Sequence, residues 1–173
     1  FIFENRPDVI NEATHRIKDR IIEKAESMEL LYKDSKRGYV TFIPVAWDHI
    51  QNSVTDTLPK MHFGLSFNAN QKVVLTALLR PELDNKDSRE KVLAISKEKG
   101  FTNKTNKKKA PEKWFTFYKE ESTGVSFEES DAKALADGIW EKFEGMLSGK
   151  NYENVRDSIT PHLNDILAPD HSD

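Results

Sequence analysis

The chain has 173 residues, of which 37% are hydrophobic and 32% charged, with a formal net charge of −3 and no cysteine. That length holds one well-buried domain and hardly two. No apolar run approaches the roughly 20 residues of a membrane-spanning helix, so a membrane partner is not expected, and no signal-peptide pattern is present. The lack of thiols excludes disulfides and thiolate metal sites and suits a reducing cytoplasm, the expected location.

The chain opens Phe1, Ile2, Phe3 without an initiator methionine, which suggests a piece of a longer polypeptide with residues 1–5 and 168–173 frayed or serving as linker. Charge is unevenly spread. Residues 1–119 carry 22 Lys and Arg against 16 Asp and Glu, whereas residues 120–173 carry 4 against 13. The two parts therefore present different faces to partners, or the closing helices are simply solvated by carboxylates.

Pro7 and Asp8 suit the first turn of a helix. Val9, Ala13, Ile17, Ile21, Ala25 and Met28 then recur at spacings of four or three and form one apolar stripe. Residues 33–38 are polar and charged and are expected to turn. Tyr39, Val40, Thr41, Phe42 and Ile43 form a strand by composition, ended by Pro44. Asp48 is placed to cap a short helix through Val54, and residues 55–59 form a loop.

Met61, Phe63, Leu65 and Phe67 alternate with His62, Gly64 and Ser66, and Val73, Leu75, Ala77 and Leu79 repeat that period of two. With the turn-forming residues 68–71 between them, the two runs predict a β-hairpin with one apolar face. His62 falls on the opposite face, toward solvent or a covering helix. Pro81 closes the strand region. Asp87 and Glu90 resemble a capping box, and the helix they start ends at Gly100, with Phe101 placed for the contact of a Schellman ending.

Trp114, Phe115, Thr116, Phe117 and Tyr118 predict a further strand, aromatic on both faces, followed by a mixed connection over 120–129. Ser130 is the expected cap of a helix that buries Leu135, Ala136, Ile139, Trp140, Phe143, Met146 and Leu147, and Gly149 ends it. Another helix starts at Asn151 with Val155 and Ile159 inward, and Thr160 with Pro161 splits it before Leu167. These elements predict an α+β fold: one domain, with an antiparallel sheet of about four strands and helices packed on one face. Phe63, Leu65, Phe67, Val73, Leu75, Ile139, Trp140 and Phe143 are expected to share one core.

Catalytic signatures are missing. None of His15, His49, His62, His162 and His171 stands four residues from another, the spacing of a helical zinc site. Glycine-rich phosphate loops and G-x-S-x-G are absent, and the strands lack the acidic and lysine residues of a magnesium-dependent nuclease core. No catalytic residue, metal or cofactor is therefore assigned. The outstanding local feature is 99–119, with seven lysines and one acid, Glu112. Lysines that neutralise phosphates release counterions, and aromatic side chains stack unpaired bases. Lys104, Lys107, Lys108, Lys109, Lys113 and Trp114 are thus candidate nucleic-acid contacts. The alternative is a solvated loop of lysines followed by a core strand.

The first helix (9–28), the hairpin with Phe63, Leu65 and Phe67, the helix from Ser88, Arg89 and Glu90 to Gly100 and Phe101, the strand at Trp114 and the acidic closing helices together span 9–167. In this order they resemble the C-terminal α+β accessory domain of some bacterial PD-(D/E)xK nuclease-like, restriction or phage-defence proteins. The resemblance implies a non-catalytic module of a larger DNA-processing or defence protein and carries over no site residues. Nucleic acid or protein (a neighbouring domain or a second copy) is the partner so implied. Two competing expectations are a phosphodiester or nucleotide hydrolase with an unrecognised site, and an oligomerisation domain using Phe1, Ile2 and Phe3.

Overall fold

The computed structural model describes residues 2–48, 59–67, 72–80, 86–101, 114–122 and 131–167. The fold is α+β. Five antiparallel strands lie in chain order: β1 (Leu30–Lys36), β2 (Tyr39–Pro44), β3 (Met61–Phe67), β4 (Val73–Leu79) and β5 (Phe115–Ser122). Two helices precede the sheet, α1 (Ile2–Glu23) and α2 (Ala25–Met28); α3 (Lys86–Lys99) joins β4 to β5. The chain closes with α4 (Ala132–Leu147), α5 (Lys150–Ile159), a single 3-10 turn and α6 (Leu163–Leu167).

The sheet has five strands rather than about four, because residues expected to turn belong to β1. Its register pairs Leu30 with Pro44 and Lys36 with Tyr39, so the turn shrinks to Arg37 and Gly38. Pairing to a strongly β-forming neighbour outweighs the polar composition of Lys33, Asp34, Ser35 and Lys36. Gly38 sits at φ +73°, and a Cβ there would come within 2.8 Å of the Phe67 carbonyl oxygen. Its N–H donates to Thr14 Oγ1 at 2.9 Å and its carbonyl accepts the Phe67 N–H at 3.0 Å. One glycine thus ties the first hairpin to both α1 and β3.

The β3–β4 hairpin has the expected register, from Met61 opposite Leu79 to Phe67 opposite Val73; its turn, 68–71, lies outside the described residues. Phe63 is the centre of the core, 5.6 Å from the Phe42 ring, 5.1 Å from Trp47 and 5.0 Å from Tyr152. Phe143 of α4 meets Phe42 edge-on at 5.4 Å. All eight residues expected to share one core are buried in it.

β5 departs from the expectation of aromatic side chains on both faces. A bulge leaves Phe117 without a partner, so that Tyr118 opposes Ala77 while Phe115 opposes Leu79. The extra residue turns both rings toward the core, and Phe115, Phe117 and Tyr118 are all buried.

Helix boundaries shift in three places. Pro7 lies inside α1, which breaks at Lys24 before α2. The cap of α4 is Asp131, whose carboxylate accepts the N–H groups of Lys133 and Ala134; Ser130 lies outside the described residues. After α5 the chain does split, yet the Thr160 hydroxyl donates back to the Arg156 carbonyl at 2.6 Å instead of capping forward. The α3 ending is as expected. Gly100 has φ +66° and the Phe101 N–H donates to the Ser96 carbonyl at 3.0 Å, the six-to-one bond of a Schellman motif. The short helix expected from Asp48 to Val54 falls mostly on residues not described; Val45–Trp47 form a single 3-10 turn ahead of Asp48.

Candidate functional site

The β3–β4–β5 register brings Met61, Leu79 and Phe115 side by side. Just beyond this buried row lie Lys60, Arg80 and Trp114. The Arg80 N–H donates to the Lys60 carbonyl at 2.8 Å, which extends the β3–β4 pairing by one step. β3 and β5 start and β4 ends at this end of the sheet. Lys60 is exposed and Arg80 half-buried.

Trp114 is 47% exposed, in contrast to the three buried aromatic residues that follow it. Its ring stands edge-on to His62, with centroids 5.8 Å apart and planes at 78°. His62 is 1% exposed, so of the two expectations for it, solvent or a covering element, the first does not hold. Its Nδ1 lies 3.0 Å from the Pro59 carbonyl oxygen. Burial pushes the imidazole down to about 4, against the pull of that carbonyl, and the positive charge of Arg80 adds to the depression. The ring is therefore neutral near pH 7. Since a carbonyl only accepts, Nδ1 carries the proton. The Pro59 bond fixes the imidazole in place beside Trp114.

Arg89, buried in the first part of α3, donates to the Arg80 carbonyl oxygen and fixes the end of β4. Cationic and aromatic groups thus gather where three strands end. Of the expected contacts, Trp114 is the one described; Lys104, Lys107, Lys108, Lys109 and Lys113 lie outside the described residues. Lys99 is exposed at the end of α3, and Lys119 pairs with Glu121 at 3.1 Å. Lys60 and Arg80 were missed from the sequence because each is an isolated cation beside a proline. Only strand register puts them next to Trp114.

The displaced carboxyls Glu121 and Asp137 are both held below the usual range, Glu121 by Lys119 and Lys72 and Asp137 by Arg20. Both are surface ion-pair partners, the opposite of an acid raised by burial for proton transfer. Among the described residues no three His, Asp or Glu side chains group to hold a metal ion, and no helix is long and apolar enough to cross a membrane. No family model, no curated protein and no solved structure matches the chain.

Proposed function

We infer that this chain is a single α+β accessory module that binds nucleic acid without catalysing a reaction, within a larger bacterial DNA-processing or defence protein in the cytoplasm. Lys104, Lys107, Lys108, Lys109, Lys113 and Trp114 are its contacts. The observation that carries this reading is the exposure of Trp114 directly after the lysine-rich segment. Had Trp114 joined Phe115 and Tyr118 in the core, the lysines would have stood alone as solvated surface. The resemblance of element order to nuclease-associated accessory domains and the absence of cysteine agree with it.

Salt dependence is the test. Each phosphate neutralised on duplex DNA contributes about −0.9 to the slope of log affinity against log salt concentration. Replacing Lys107, Lys108 and Lys109 together with alanine should flatten that slope by roughly three such contacts and weaken all sequences alike. No binding to DNA at low salt, or binding indifferent to the triple change, ends this reading.

A further inference from the structure

We propose that Lys60, Arg80 and Trp114 form a short platform for single-stranded nucleic acid, with one unpaired base stacked on the indole and neighbouring phosphates on the two cations. The proposal rests on the nucleic-acid reading above and adds the class of nucleic acid and the contact row. The three residues follow one another across β3, β4 and β5 at the same sheet end. Adjacent strands are about 4.8 Å apart, so the row spans roughly 10 Å.

The indole is suited to stacking because it is held on one side by the His62 ring while Trp114 stays 47% exposed. His62 contacts Trp114 edge-on and is itself locked by Pro59, so the tryptophan is positioned by a buried group rather than left to swing on the surface. A ring ordered in advance loses less entropy when a base stacks on it. Base pairs in a duplex are stacked on their neighbours and offer no free face to such a ring, whereas every unpaired base does. The two cations supply the attraction to phosphate that single and double strands share.

The full chain is titrated at low salt against fluorescein-labelled 12-nucleotide oligo-dT, oligo-U and a 12-base-pair duplex. Trp114→Ala is expected to weaken both single strands about tenfold or more and the duplex less than twofold. Trp114→Phe keeps a ring and should recover most of the loss. Lys60→Ala should weaken all three ligands and reduce the single-strand salt slope by about 0.7. The exposed position of Trp114 means that Trp114→Ala should melt as the wild type does. Equal losses on single strands and duplex, or no loss, would overturn the platform while leaving the nucleic-acid reading in place. Failure of the wild type to bind any of the three would end both. Similar affinity for oligo-dT and oligo-U supports stacking blind to the sugar, and a preference for either one supports the platform with that strand as its ligand.

Discussion

At the scale of single residues, His62 carries the clearest consequence. Its folded-state pKa lies near 4, below the ordinary 6.5, because burial opposes the charged ring. The unfolded chain therefore binds a proton at a higher pH than the folded one, and acid favours unfolding. The stability held by the neutral ring is complete above pH 6.5 and is lost as pH falls toward 4. The predicted loss is about 2 kcal/mol between pH 8 and pH 5, approaching about 3 kcal/mol below pH 4. Glu121 and Asp137 add a separate acid-labile contribution, since Lys119 and Arg20 keep them ionised below the usual carboxylate range. That contribution fades only at lower pH. Urea denaturation of the wild type and His62→Gln at pH 8 and pH 5 isolates the histidine. The variant should start less stable and change less between the two conditions; equal changes in both proteins would mean that His62 is not the titrating group.

At the scale of elements, the strands are fitted to one another by a few close approaches. Tyr39 of β2 lies diagonally across Gly64 of β3, whose direct partner is Thr41. A Cβ built at Gly64 would overlap the Tyr39 hydroxyl and ring. The tyrosine covers bare backbone that a side chain would otherwise cover, and its burial raises the phenol pKa. Gly64→Ala should therefore force Tyr39 out and cost about 1–3 kcal/mol. In a Tyr39→Ala background the same change should cost much less, so a double-mutant cycle of melts reads the coupling directly; additive effects would place the tyrosine elsewhere. The sheet edges are also guarded. β1 and β5 each contain a bulge, and they carry Lys33, Asp34 and Lys36 on one edge and Lys119, Glu120 and Glu121 on the other. Irregularity and charge discourage a second chain from adding a strand there.

At the scale of the whole molecule, stability converges on the layer between sheet and helices. Phe63 touches Phe42 and Tyr118 from the sheet, Tyr152 from α5 and Trp47 from the 3-10 turn. Removing its ring empties the centre of the core, and Phe63→Ala should cost about 3–5 kcal/mol. Val45, an exposed apolar residue, is the control, and Val45→Ala should stay within about 0.5 kcal/mol. A midpoint for Phe63→Ala close to that of Val45→Ala would show that the helical layer does not seat on this ring. On the helical side, α1 meets α4 through the Arg20–Asp137 ion pair and through Arg20 and Lys24 lying over the Trp140 ring. The charged partners lie near the surface while Trp140 is buried, so packing rather than charge holds the layer together.

The sequence by itself determined the β3–β4 hairpin, the stripe of α1, the buried face of α4 and the Schellman end of α3. Each is written in a local period or a local glycine, and a period of two or of 3.6 needs no distant partner to be recognised. Strand β1 was hidden because its outer half is charged, and only pairing with β2 makes it extended. The bulge in β5 was hidden for the same reason: an unpaired Phe117 is a property of two strands in register, not of one. The candidate site divides along this line as well. The lysine-rich segment and Trp114 stand out in the chain as composition. The exposure of Trp114, its anchoring by a buried neutral His62 and its alignment with Lys60 and Arg80 were decided by tertiary structure, because residues 54 and 34 positions earlier become neighbours only when three strands pair.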